Sequence, residues 1–157
     1  ILKEEELSST KMAKGLQTTP YNTRLFTYGT LKKGGRLETL LQRSKYIGEY
    51  FTLHSAFQMR DYANAFPIVF FDYGQANGKS IKGDLYECDV RAIESINQME
   101  TNANYTPHIA DVINEEGYIT NALMFVNCNR GAVADSQLSL NNIIEEKGYQ
   151  VWQQLEV

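Results

Sequence analysis

The stretch that decides the fold is IKGDLYECDVRAIESINQME, residues 81–100, in which one periodicity gives way to another. Residues 81–89 have the composition of a strand. From Asp89 onward the apolar residues recur at helical spacing, and Asp89 itself stands at the position of an N-cap. Those apolar residues are Val90, Ile93, Ile96 and Met99. The stretch therefore predicts a strand that leads directly into a helix.

Most of the chain on either side of this stretch has strand composition. RLFTY is closed by Gly29, residues 45–60 predict one or two strands, and the sequence EEG at 115–117 indicates a hairpin between two apolar runs. Residues 36–43 and 136–155 carry apolar residues at helical spacing and are predicted to be helices. This order predicts an α+β fold, a mixed and mainly antiparallel sheet or small barrel with helices packed outside it.

Length and composition are those of one globular domain. The chain has 157 residues, 43% hydrophobic and 22% charged, which suits a single domain over residues 21–157. Residues 1–20 are polar and are interpreted as a leader that need not be ordered; they show no secretory signal. A net charge of −4 argues against binding to a nucleic-acid backbone, and no apolar run reaches membrane-spanning length.

The two cysteines predict no disulfide and no metal site. Cys88 and Cys128 are spaced in no zinc or redox pattern, so reduced thiols in a cytoplasmic protein are the simplest interpretation. His54 and His108 lie far apart in the sequence and in no metal-ligand motif. We therefore expect no metal site.

The stretch FTYGTLKKGG, residues 26–35, resembles the first half of a phosphate loop. The spacing from Gly29 to Gly34 fits, but Gly35 and Arg36 stand where Lys and Ser or Thr are required. Backbone N–H groups of residues 29–31 would still lack ladder partners just after the strand, and such groups can form a concave anion site. An ordinary turn at the end of a strand is the alternative.

Glu100 is the second unusual feature. On a helix, Ile93, Ile96 and Glu100 fall at i, i+3 and i+7, so that the carboxyl group extends the apolar stripe. Desolvation and the negative end of the helix dipole would both raise its pKa, which is typical of a general acid/base. The alternative is a helix that frays at Met99 and leaves Glu100 in solvent.

Together these motifs resemble the γ-glutamylcyclotransferase-like (AIG2-like) family, especially its γ-glutamylamine cyclotransferase branch. The resemblance spans roughly residues 24–127. It rests on the following stretches: FTYGTLKKGG (26–35), GEYFTL (48–53), FPIVFF (66–71), IKGDLYECD (81–89) and INQMETNANYTPHIADV (96–112).

The resemblance implies a small mixed β-barrel flanked by helices and a reaction that needs no cofactor. In that reaction the α-amine of a small γ-glutamyl substrate attacks the substrate's own γ-carbonyl, releasing 5-oxoproline and an amine or amino acid. The family's acid/base glutamate aligns with Glu100. Its substrate loop aligns with Tyr28, Gly29, Thr30 and Leu31, whose amides would hold the substrate carboxylate. We expect the Tyr105 hydroxyl to orient Glu100 or the substrate, with a wall tyrosine as the alternative.

The sequence departs from the family pattern at the rim of the expected site. Thr101 stands where the family usually has Gly, and Pro107 stands where many members carry Arg, with His108 next to it. A non-catalytic module that binds an anionic metabolite or a nucleotide-like ligand on the same scaffold is therefore a second hypothesis. A structural or interaction protein is a third.

Overall fold

The computed structural model describes residues 22–29, 41–42, 44–72, 78–127 and 135–153. The elements in these residues are β1 (Thr23–Thr27), β2 (Lys45–Thr52), β3 (Phe57–Tyr62), β4 (Phe66–Phe71), β5 (Ser80–Cys88), α1 (Val90–Asn102), β6 (Thr106–Ile113), β7 (Ile119–Val126), a 3-10 turn (Asp135–Gln137), β8 (Leu138–Ser139), β9 (Ile143–Glu146) and β10 (Tyr149–Trp152).

Five strands close into a ring. They follow one another in the order β1-β7-β6-β2-β5, and β1 pairs again with β5 to complete the circuit. The pairs are antiparallel except β1 with β7, and β10 adds to β5 in parallel outside the ring. The predicted small, mainly antiparallel barrel is confirmed.

A second sheet, β4-β3-β8, shares the barrel's core. Phe57, Met59 and Val69 from this sheet pack with buried residues of the barrel strands, including Val112 and Met124. The backbone N–H of Asn127, just after β7, donates to the carbonyl of Val69 at 2.8 Å. Strand β4 is thereby held beside the end of β7.

Gly83 lets β1 and β5 approach each other at the end of β1. A Cβ atom at this position would lie 2.1 Å from the carbonyl oxygen of Thr27 and 2.9 Å from the Phe26 ring. Thr27 pairs with Asp84 in the ladder, and its hydroxyl donates to the Asp84 carbonyl at 3.4 Å. Only glycine leaves room for this approach, which fixes where β1 stops and the turn at Tyr28 and Gly29 begins.

The strand-to-helix prediction for residues 81–100 is confirmed. The Asp89 side chain accepts a hydrogen bond from the backbone N–H of Ala92 at 2.9 Å, as an N-cap does. Ile96 is fully buried, and Ile93 and Met99 pack beside it against the outer face of the barrel. The helix does not fray at Met99, because it continues to Asn102.

The predicted C-terminal helix over residues 136–155 is wrong. This segment forms the 3-10 turn, β8 and the β9–β10 hairpin. Lys147 and Gly148 both have positive φ, 45° and 90°, and connect the paired residues Glu146 and Tyr149. A two-residue loop with two positive φ angles closes a β-hairpin and cannot continue a helix.

Two other predictions fall largely or wholly outside the described residues. The polar leader, residues 1–20, is outside them, as is most of the expected helix at 36–43.

The hairpin expected at 115–117 is present between β6 and β7, with Gly117 at a φ of 94°.

Candidate active site

Glu100 lies half-buried in the last turn of α1. Burial raises the pKa of its carboxyl group from 4.5 to about 7. The apolar stripe of the helix explains this placement, because residues that follow Ile96 by one turn face the same barrel surface. At neutral pH such a group is present in both its protonated and its ionised form, which suits a general acid/base.

The chain turns back on itself immediately after the helix and carries Tyr105 towards Glu100. The backbone N–H groups of Ala103 and Tyr105 both donate to the Glu100 carbonyl, at 3.1 and 2.9 Å. Asn104 adopts a φ of 70°, a conformation that asparagine tolerates better than most residues. Burial, and secondly the charge of Glu100, raise the pKa of the Tyr105 hydroxyl.

Tyr28 comes to the same place from the end of β1. Its side chain is buried, and its hydroxyl donates to the backbone carbonyl of Phe125 in β7. Burial raises the pKa of Tyr28 well above its usual value, and the charges of Tyr105 and Glu100 raise it further. Three titratable side chains from β1, α1 and the segment before β6 therefore influence one another.

Pro67 in β4 connects the glycine turn with Tyr105. The Tyr105 hydroxyl donates to the Pro67 carbonyl at 2.6 Å. On its other side, a Cβ atom at Gly29 would lie 2.5 Å from Cγ of Pro67. Gly29 and Tyr105 are therefore held against the same residue, although they are 76 positions apart in the sequence.

Of the residues expected from the sequence, Tyr28, Gly29, Glu100 and Tyr105 thus come together at one end of β4. Thr30 and Leu31 lie outside the described residues, so their expected part in holding a carboxylate stays a prediction. Neither Pro67 nor the Phe125 carbonyl was among the residues expected at the site. The FPIVFF motif could have drawn attention to Pro67, because a proline within a strand indicates an edge strand. Strand β4 is indeed at the edge of its sheet.

The two histidines lie elsewhere. His54 is exposed in the bend after β2, where its Nε2 lies 3.7 Å from Oδ2 of Asp111. His108 is in β6 and packs edge-on against Phe71, with ring centroids 4.7 Å apart.

Among the described residues, no group of three or more His, Cys, Asp and Glu side chains is arranged to hold a metal ion. Cys88 is buried, and burial raises the pKa of its thiol to about 11.

A small, mainly antiparallel barrel with one helix packed on its outer face defines the class of the protein as α+β. A family model described as "Gamma-glutamyl cyclotransferase, AIG2-like" matches residues 25–150, and the chain belongs to this family.

Solved structures show the same fold. The chain is 30% identical to YkqA from Bacillus subtilis, covering 68% of this chain and 36% of that one, with a TM-score of 0.55. It therefore spans about a third of that protein. An aig2-like protein from Mus musculus is 19% identical over 74% of this chain and 82% of that one, with a TM-score of 0.60. A structure named gamma-glutamyl cyclotransferase is 13% identical over 67% and 66%, with a TM-score of 0.53.

No curated protein matches the sequence significantly. In the part of the chain that the structure describes, no helix is long and apolar enough to cross a membrane.

Proposed function

We propose that this protein is a γ-glutamyl cyclotransferase in which Glu100 is the general acid/base. The observation that carries the proposal is the half-buried Glu100 carboxyl group, which has a pKa of about 7 and whose charge acts on Tyr28 at the start of the glycine turn. Membership of the family supports the same reaction class.

The chemistry needs one group that moves a proton in both directions. The substrate's α-amine is an ammonium ion at neutral pH and attacks only after it loses a proton. Ionised Glu100 accepts that proton, the amine nitrogen bonds to the γ-carbonyl carbon, and a five-membered ring forms. Glu100 returns this proton to the leaving nitrogen as the bond to the leaving amine breaks. The ring nitrogen loses its second proton by the same route, so the products are 5-oxoproline and the released amine in its ammonium form.

The nucleophile and the electrophile belong to the same molecule, so the protein's main task is to hold them close. We expect the turn that begins at Tyr28 and Gly29 to seat the substrate carboxylate, with Thr30 and Leu31 continuing it. Fixing the amine and the carbonyl in a near-attack geometry can supply much of the rate enhancement. Tyr105 is held by Pro67 at 2.6 Å and would orient the carboxyl group or the substrate.

The proposal is tested by incubating the protein with γ-glutamyl amines and γ-glutamyl dipeptides and measuring 5-oxoproline. Glu100→Gln should lower kcat by about 10²- to 10⁴-fold, the usual contribution of a general acid/base. Glu94→Gln is the matched control, since Glu94 is an exposed acid on the same helix, and it should behave as the wild type.

Full activity in Glu100→Gln would reject the assigned role of Glu100. No turnover of any substrate in the panel would reject the enzyme hypothesis. If the protein then bound an anionic metabolite tightly, the binding-module hypothesis would replace it.

A further inference from the structure

A cavity lies beside Phe57 and His108, at the other end of β4 from the contact between Pro67 and Tyr105. Its volume is about 420 Å³, which is in the range of sites for small molecules. The walls are formed by Ala56, Phe57, His108, Ile109 and Ala110. His54 and Asp111 stand at its rim, both exposed, with Nε2 of His54 3.7 Å from Oδ2 of Asp111.

The cavity exists because β2 leaves β6 early. The two strands pair only through Val112 and Ile113, after which the N–H of Leu53 donates to the carbonyl of Asp111 at 2.8 Å. The backbone N–H and C=O groups of every second residue in a strand point to the same side, so those of Ile109 point, like those of Asp111, to the side that β2 has left. Pro107 is the next residue in this alternation. It has no N–H to donate, which fits a position where no strand pairs. None of the described strands pairs with β6 on this side between Thr106 and Asp111.

The walls of the cavity are apolar and partly aromatic. The His108 ring packs edge-on between Phe57 and Phe71, with centroids at 6.2 and 4.7 Å. Burial lowers the pKa of His108, so the ring is neutral at pH 7 and adds no charge to the wall. The only carboxylate among the lining residues that the structure describes is Asp111, which already faces His54. A buried ammonium group would therefore lack a partner deep in the cavity, whereas an apolar group would be well accommodated.

The cavity is in line with the candidate active site. Tyr105 meets Pro67 at one end of the seam between β6 and β4, and His108 meets Phe71 at the other. At about 3.3 Å per residue, three residues of β6 span roughly 10 Å and four residues of β4 roughly 13 Å. A substituent that extends along this seam from a scissile nitrogen at Glu100 would therefore reach the cavity after roughly 10–13 Å.

We propose that this cavity receives the leaving-amine side of the substrate and selects an extended apolar or aromatic amine over one that ends in a charge. The inference rests on the proposed cyclotransferase function and specifies its substrate class.

The test is a graded series of γ-glutamyl conjugates of ethylamine, benzylamine, 2-phenylethylamine and 4-phenylbutylamine, with kcat/KM measured from 5-oxoproline release. We expect kcat/KM to increase along the series and to be at least about 10-fold higher for the phenylbutyl than for the ethyl conjugate. A second comparison uses the conjugates of heptylamine and 1,6-diaminohexane, which have chains of equal length and differ in the terminal group, a methyl in one and an ammonium in the other. The heptyl conjugate should be preferred by at least about 10-fold.

Two variants link the preference to the cavity. Ala56→Leu fills it and Ile109→Ala removes part of its wall, and both should bring the phenylbutyl-to-ethyl ratio of kcat/KM towards one. Ile119→Ala is the matched control, because Ile119 is exposed on the same hairpin, outside the cavity, and should keep the wild-type ratio.

The outcomes separate this inference from the function on which it rests. Turnover of the ethyl conjugate with no gain along the series, or a preference for the diamine, would overturn the inference and leave the proposed function intact. If no conjugate is cyclised, the proposed function fails, and calorimetry with the phenylbutyl conjugate then decides about the cavity. Binding weakened about 10-fold by Ala56→Leu would support a ligand site there, and equal binding would overturn it.

Discussion

Glu100 is the residue on which both activity and stability are expected to depend. Its side chain is placed on the buried face of α1 by a helical repeat, although a glutamine or an apolar residue would be less costly at that position. The rise of its pKa to about 7 reflects the free energy that is needed to bury the ionised carboxylate. Such strongly perturbed acids concentrate at functional sites.

Activity should depend on the ionisation of Glu100. The reaction begins with the ionised form, so kcat/KM should rise with pH and level off as the pH passes the pKa of about 7. This acid limb is measured by steady-state kinetics between pH 5 and about 8. A limb centred near 4.5, the ordinary value, would show that the carboxyl group is solvated in the free enzyme. Glu94→Gln should leave the limb where it is.

Stability should also depend on this group. Because the folded pKa of Glu100 lies above its unfolded value, the folded state retains a proton that the unfolded state loses between pH 4.5 and 7. The free energy of unfolding therefore falls across this window, by an amount on the order of 2–3 kcal/mol for a shift of this size in a group with some residual exposure.

Glu100→Gln removes this dependence. The variant should gain stability relative to the wild type as the pH rises from 4.5 to 7, and the gain should be constant above pH 7. Urea denaturation at several pH values measures it, with Glu94→Gln as the control that should show no such trend. A difference that does not change with pH would contradict the burial of the Glu100 carboxyl group.

At the scale of elements, the site depends on how closely β1 approaches β5. Gly83 permits this contact, and the neighbouring pair of Thr27 and Asp84 ends β1 at the site. The turn that follows is held on its other side by Pro67 of β4. The turn is thus positioned by two strands that are distant from it in the sequence.

Gly83→Ala should therefore be strongly destabilising. The new methyl group meets backbone oxygen, which cannot move aside like a flexible side chain, and we expect a loss of about 3 kcal/mol or more in the free energy of unfolding. Gly117→Ala is the control, since its Cβ would meet nothing within 4 Å and only its φ of 94° is unfavourable. It should cost about 1–2 kcal/mol. Equal losses in urea denaturation would contradict the close approach at Gly83.

At the scale of the whole molecule, a buried glutamine helps to join the two sheets. Gln150 in β10 is fully buried, and its amide pairs with the backbone of Met59 in β3. Its Oε1 accepts from the Met59 N–H at 2.7 Å, and its Nε2 donates to the Met59 carbonyl at 3.2 Å and to Glu145 at 2.7 Å. The side chain thus takes the place of a neighbouring strand.

Gln150→Leu should lower the free energy of unfolding by about 2–4 kcal/mol. The leucine fills a similar volume but leaves one buried N–H and one buried carbonyl of Met59 without this partner. Gln153→Leu, at an exposed position just after β10, is the matched control and should change stability by less than about 0.5 kcal/mol. If the two variants were equally stable, the amide pairing would contribute nothing to the joining of the sheets.

Local patterns in the sequence determined several of the elements and the position of Glu100 on its helix. The change of period in residues 81–100 predicted β5, the Asp89 cap and α1, because these depend on residues only a few positions apart. The same helical spacing placed Glu100 on the apolar stripe. The FTYGTLKKGG stretch indicated where β1 ends and a turn begins.

Only the tertiary structure decided how these pieces meet. The Tyr28 hydroxyl bonds to Phe125, 97 positions away, and the Tyr105 hydroxyl to Pro67, 38 positions away. The C-terminal segment forms strands because Lys147 and Gly148 make a tight turn and Gln150 pairs with Met59, 91 positions away, although its apolar spacing also fitted a helix. The physical reason is the same in each case. Periodicity and caps act within a few residues, whereas burial, and with it the pKa of Glu100, depends on chain segments that come together only on folding.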